Sequence, residues 1–157
     1  MTALKSLLFL IAAPGTVAGY IPLALLRTGP RVETGVFAYL ALPLWLLGGV
    51  MLLWAFWDFT FKGRGTPAPV DPPKELVVAG FYRYVRNPMY LGVILVLIGY
   101  FLWFGFWALL GYAALAFIAT HLFVTLYEEP TLTKKFGAAY EEYLRRVPRW
   151  IPRPERR

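Results

Sequence analysis

The sequence predicts an all-α, polytopic integral membrane protein: about four transmembrane helices plus a C-terminal amphipathic helix. Three observations carry this. The chain is 59% hydrophobic and only 16% charged, where a soluble domain carries roughly a quarter charged residues; its mean hydropathy is +0.55. The apolar residues gather into four runs of membrane-spanning character, about 4–26, 36–57, 89–104 and 106–127. The basic residues sort by loop. With 157 residues, a single domain, 1–157, is expected. So apolar a chain excludes disorder. Zero cysteines exclude a disulfide scaffold, a cysteine nucleophile and an iron–sulfur site, and one histidine excludes a His-rich metal centre.

The first run, Leu4 to Leu26, is interrupted by Lys5 and by Pro14-Gly15. Its basic start and the small residues Val17 and Gly19 also suit a cleaved leader, but the apolar stretch continues through Tyr20 to Leu26, long enough to span. The second, Val36 to Trp57, holds no charge. The third, Met89 to Phe104, and the fourth, Phe106 to Tyr127, are joined by the short apolar Trp103-Phe104-Gly105 and read as a tight helical hairpin. Between runs two and three, residues 58–80 are rich in proline and glycine, which predicts extended, polyproline-like backbone. After run four, Leu132, Phe136, Tyr140 and Tyr143 or Leu144 recur at helical spacing, so 131–146 reads as an amphipathic helix ended by Pro148 and Pro152.

Of the sixteen basic residues, only Arg27 and Arg31 lie between the first two runs. The others lie at Lys5, in the loop 58–88 and in the tail 128–157. The positive-inside rule puts those segments, and hence both termini, in the cytoplasm, with the cell (inner) membrane as the location. The net charge of +7 is then an orientation signal and a contact with anionic lipid head groups, not a nucleic-acid footprint. Membrane lipids are the expected partners; the sequence leaves the oligomeric state open.

Chemistry-bearing residues concentrate in two places. In Gly80-Phe-Tyr-Arg-Tyr-Val-Arg-Asn-Pro-Met-Tyr-Leu-Gly92, Asn87 is a good N-cap and Pro88 a good first helical residue. The positive end of the helix dipole would fall there. Arg83 and Arg86, just before it, suit a carboxylate or phosphate, or act as snorkelling anchors. Tyr90 and Gly92 follow in the first turns, where Gly92 lets a ligand or neighbouring helix approach closely. The second place is His121 with Glu128-Glu129. His121 and Glu128 are seven apart and share a helix face, with Thr125 between them. A histidine within a span is costly to leave unpaired; an interhelical hydrogen bond would satisfy it. Two carboxylates at a helix C-terminus need compensation, which Arg83, Arg86 or a ligand cation would supply. The 12 Phe, 10 Tyr and 6 Trp suit interfacial belts; Tyr82, Tyr84, Tyr90 and Trp150 also suit an electron-rich wall for a base or cation.

Tyr82-Arg-Tyr-Val-Arg-Asn-Pro-Met-Tyr-Leu-Gly92 resembles the signature of the isoprenylcysteine carboxyl methyltransferase family. Glu128-Glu-Pro-Thr-Leu, with Phe136-Gly137, Tyr140 and Tyr143, then Arg146-Val-Pro148 and Pro152, resembles that family's C-terminal block. The broader group includes the membrane phospholipid methyltransferases. The resemblance covers roughly residues 63–153 and implies an integral membrane enzyme using S-adenosylmethionine, with a lipophilic acceptor entering from the bilayer. It implies Arg86, Pro88, Tyr90, Gly92, His121, Glu128 and Glu129 as cofactor-region residues, Arg83 and Glu129 as catalytic, and no metal. Asn87 stands where the eukaryotic prenylcysteine enzymes typically carry histidine, and His121-Leu-Phe-Val-Thr-Leu-Tyr127 lacks their extra basic residues, which puts a prenylated protein acceptor in doubt and carries over the methyltransferase class. Phospholipid N-methylation and a non-catalytic membrane scaffold or carrier are the alternatives.

Overall fold

The computed structural model describes residues 7–8, 10–62 and 75–152, the side chain of Phe59 excepted. The proline- and glycine-rich stretch 63–74 and the last basic residues, 153–157, lie outside these. The regular elements among the described residues are helices, with one isolated antiparallel bridge between Arg31 and Phe106.

Helix α1, Leu10–Leu25, contains a wide π-turn at Thr16–Tyr20. Pro22 explains its local hydrogen bonding. Ile21 N–H goes to Thr16 O, and Pro22 has no N–H to give. Val17 O is therefore left over, and Tyr112 Oη donates to it at 3.0 Å. This ties α1 to the fourth helix.

Helix α2, Ala41–Phe61, follows a 3-10 turn over Gly35–Leu40. Helix α3, Pro88–Phe104, crosses it closely. A Cβ added at Gly92 would lie 2.7 Å from Gly48 O, and one at Gly48 2.6 Å from Gly92 O. Gly99 likewise leaves room for Trp45, whose Nε1 donates to Val96 O at 3.2 Å. Without a hydrophobic drive between helices in lipid, such small-residue contact is the usual way for them to pack. Val93, Ile94, Leu97, Ala113 and Ala116 form the central core, with Val17 and Ala18 of α1 against it.

Helix α3 ends at Gly105, whose φ of +74° favours glycine. Helix α4, Trp107–Phe136, starts two residues later. By length and composition, two helices can cross a bilayer: Gly35–Asp58, of 24 residues, and Trp107–Phe136, of 30. The other two apolar helices, Leu10–Leu25 and Pro88–Phe104, are shorter. Large apolar side chains face outward on α2 and α4, among them Leu46, Leu53, Leu115 and Leu126.

The C-terminal region corrects the expected single amphipathic helix over 131–146. Its first half is the continuation of α4. Gly137, at φ +54°, ends that helix, and a separate α5 covers Ala138–Arg146. The apolar spacing ran through the break because Tyr140 and Tyr143 still pack against Leu132 and Phe136, in one cluster with Leu76 and Val147. The tertiary turn at glycine preserved the contact while abandoning the helix.

Candidate active site

Five segments converge at one end of the bundle: a 3-10 turn over Gly80–Arg83, the start of α3, the C-terminal part of α4, α5, and the residues after α5. Val147 leaves α5 in extended conformation, with φ −108° and ψ 124°, and Pro148 cannot resume a helix. The chain from 147 to 152 therefore runs back as a strap across the start of α3. Arg86 N–H donates to Pro148 O at 2.9 Å, and Asn87 Nδ2 to Arg149 O at 3.2 Å. Asn87 occupies the expected N-cap position, but its side chain makes no cap bond. Its amide is turned to the strap carbonyl of Arg149 instead.

The strap's Arg149 lies on Glu129 in fork geometry: Nε to Oε1 and Nη2 to Oε2, both 2.8 Å. Arg86 reaches the same carboxylate, Nη1 to Oε1 at 2.9 Å. The side chains of Glu129, Arg86 and Arg149 are 13%, 12% and 31% exposed. One carboxylate thus holds two guanidiniums in partial burial, where charge-assisted bonds are strong. The bonds to Glu129 hold the Arg149 guanidinium above its ordinary pKa. Arg86 Nε is buried with no hydrogen-bond partner.

A turn in α4 decides which acid goes where. Val124–Glu128 is a π-turn, with Glu129 N–H bonded to Val124 O five residues back. This inserts the equivalent of one residue, about 100° of rotation. The expected shared face of His121 and Glu128 is therefore lost. Glu128 turns to α3, where Tyr90 Oη donates to its Oε2 at 3.1 Å. Glu129 instead joins His121 in facing the strap: Trp150 Nε1 donates to His121 Nδ1 at 3.1 Å, and the Trp150 ring packs on Phe117 at 5.3 Å. Threonines on α4 back-bond to carbonyls four residues earlier, as Thr125 does to His121 O and Thr133 to Glu129 O, both 2.8 Å.

Arg86, Glu128 and Glu129 line a cavity of about 30 Å³ with Tyr82, Tyr140 and Tyr143. Tyr143 Oη donates to Tyr82 O at 2.8 Å, which fastens α5 to the turn before α3. Burial pushes the Tyr82 phenol well up, reinforced by Glu128 and by the neighbouring Tyr143 and Tyr90. Burial also raises Tyr140 and Tyr143, with Glu129 adding to the first and Tyr140 to the second. All three stay neutral donors at working pH.

The residues singled out from sequence are thus only partly gathered. Arg86, Glu128 and Glu129 line the cavity, and Tyr90 joins through Glu128. Pro88 is buried at the helix start. Gly92 serves the α2 crossing, and His121 lies under Trp150. Arg83 is exposed on its turn, outside the cavity lining. Sequence reasoning missed Arg149, counted only as tail charge. The signal was its place between Pro148 and Trp150, in a segment that cannot be helical. Among the described residues, no group of three His, Asp or Glu is placed to hold a metal.

The Delta(14)-sterol reductase LBR of Gallus gallus is 36% identical over 81 residues, 51% of this chain. The match is 13% of that protein, so the chain spans a small part of its relative. The phospholipid methyltransferase family matches residues 28–139, a stretch that includes α2, α3, α4 and every cavity-lining acid and arginine. The chain belongs to the phospholipid methyltransferase family, a family of membrane methyltransferases.

Proposed function

We propose that this protein is an S-adenosylmethionine-dependent methyltransferase, acting on a lipophilic acceptor that enters from the bilayer. Four helices cross or enter the membrane in this reading, with both termini and the strap on the cytoplasmic side. The observation that carries it is the partly buried arrangement of Arg86, Glu128 and Glu129, beneath a strap and at the end of an apolar bundle. Family membership supplies the reaction class.

The polar groups suit the proposed methyl donor, which carries a carboxylate, an amine and a nucleoside. Arg86 has a buried Nε without a partner and would take the carboxylate. Glu128 and Glu129 would accept from the amine or ribose, and Tyr82, Tyr140 and Tyr143 would wall the base. The cofactor supplies an electrophilic methyl group when bound. A cavity of about 30 Å³ holds water, whereas small-molecule sites measure roughly 300–1,000 Å³. The strap must therefore lift for loading. Its reclosure would exclude water and fix reactant geometry, the main source of acceleration in a direct displacement.

A phospholipid amine is the second reading of the acceptor, favoured by the family match; the likeness to isoprenylcysteine carboxyl methyltransferases favours a carboxylate. An amine must shed a proton, for which the cavity offers the carboxylate of Glu128, joined to Tyr90. The test incubates the purified protein with methyl-labelled S-adenosylmethionine and host lipid extract, then partitions the products. Label in the organic phase, lost in Glu128→Gln and Arg86→Ala, is expected. Label only in water-soluble products would refute membrane entry; no binding of the cofactor would leave a non-catalytic carrier or scaffold.

A further inference from the structure

A second concavity lies at the far end of the bundle. Helix α3 starts at the candidate site and, with 17 residues, rises about 25 Å along its axis. There Leu26, Arg27, Arg31, Phe104 and Phe106 surround a cavity of about 330 Å³. Three of these five are apolar or aromatic, and the other two are arginines.

The backbone around it is tied together. Val32 N–H donates to Gly105 O at 2.8 Å and Trp107 N–H to Pro30 O at 3.2 Å, and Arg31 pairs with Phe106. The α1–α2 connection is thereby fixed to the α3–α4 turn. The Arg31 guanidinium lies 5.8 Å from the centre of the Phe106 ring. Arg27 has φ +71°, a conformation that side-chain-bearing residues rarely adopt. Both arginines are exposed, and neither has an ion-pair partner among the described residues.

Aromatic side chains mark the depth of this end. Tyr39 packs edge-on against Trp103, Trp45 against Tyr100 and Trp103, and Phe101 against Trp107. Tyr and Trp concentrate where lipid head groups meet hydrocarbon. Two unpaired guanidiniums at that level, above an apolar cavity, match a phosphate with a hydrophobic body attached. Guanidinium groups suit phosphate geometry, and the phenylalanines and Leu26 offer nothing to a bare inorganic ion.

We propose that this cavity binds the head group of an anionic phospholipid, with Arg27 and Arg31 on the phosphate and Leu26, Phe104 and Phe106 against the glycerol and upper acyl chain. The site is separate from the candidate active site and does not depend on methyl transfer.

Native mass spectrometry of the full chain in detergent tests this, with phosphatidylglycerol, phosphatidylcholine of the same acyl chains, and inorganic phosphate as separate probes. Phosphatidylglycerol should bind one copy at least roughly tenfold more tightly than phosphatidylcholine, a difference of about 1.4 kcal/mol. The double variant Arg27→Gly/Arg31→Gln should lose that preference. Glycine accepts the positive φ, and the Arg31 backbone pairing survives a side-chain change. Arg27→Lys/Arg31→Lys should keep most of it. Equal affinity for the two lipids, or an unchanged preference in the Gly/Gln variant, would overturn the proposal. Binding of inorganic phosphate as tight as that of the lipid would assign the site to free phosphate instead. If the double variant does not fold, Arg31→Gln alone is read by the same criteria.

Discussion

Replacing Glu129 by glutamine tests whether one carboxylate holds the strap down. The substitution keeps size and one acceptor oxygen but removes the charge. It turns an amide NH₂ towards guanidiniums that were held by three bonds of 2.8, 2.8 and 2.9 Å. Removing one partner of a buried ion pair costs about 3–5 kcal/mol. Arg149 is 31% exposed and is partly rehydrated, so about 3 kcal/mol, the low end of that range, applies here. For a chain of this size each kcal/mol moves the melting temperature by about 2–4 °C, so the variant should melt about 6–12 °C lower. Arg149→Gln leaves Glu129 paired with Arg86 and should cost less, about 1.5–3 kcal/mol. The double variant should fall short of the sum, because the two changes remove the same contact. Tryptophan fluorescence follows melting in detergent. With no native cysteine, Ile151→Cys, at an exposed strap position, carries a single spin label. The label should become more mobile in Glu129→Gln. A melting temperature within 2 °C of the parent (below the ~2–4 °C that one kcal/mol gives) and unchanged label mobility would refute the role of Glu129 in strap docking.

Gly92→Ala should destabilise by about 1–3 kcal/mol through overpacking against α2, since its Cβ would meet Gly48 O at 2.7 Å; a melting temperature equal to the parent's would mean the helices do not cross there. Tyr143→Phe should cost about 0.5–1.5 kcal/mol by removing the hydrogen bond it donates to the Tyr82 carbonyl. Because burial raises the Tyr140 and Tyr143 phenols above their ordinary value of 10.0, the unfolded chain loses those protons first. Stability is full below the ordinary value and declines as pH rises above it, and Tyr143→Phe should flatten that decline in melting curves taken against pH. Arg83→Ala, on an exposed turn, should leave S-adenosylmethionine affinity within about threefold of the parent, under 1 kcal/mol; calorimetry showing a larger loss would place Arg83 in the cofactor site.

Much of the architecture was legible in local chemistry. Pro88 starts α3 because it lacks an N–H that the first turn does not need. Gly105 ends it because the exit needs a positive φ. The apolar runs became helices, two of them long enough to cross a bilayer, because burial and the cost of unpaired backbone in lipid act on any such run, whatever its neighbours. Arg86 was identified as a possible counter-ion for the acidic pair on the same basis: adjacent carboxylates at the end of an apolar helix need a cation.

What the sequence by itself determined is therefore an apolar helical protein, the start and stop of α3, and the acid–arginine chemistry at one end. Only the tertiary structure decided which acid meets which partner. The π-turn at Val124–Glu128 rotates everything after it by about 100°, which separates Glu128 from the face of His121 and puts Glu129 there. Besides Arg86, Glu129 takes Arg149, twenty positions on; Gly137 and Pro148 redirect the chain between them. Gly92, read as room for a ligand or a helix, meets Gly48 of α2. Helical periodicity carries a phase only as far as the helix stays regular, and contacts between distant segments are set by packing that no local pattern encodes.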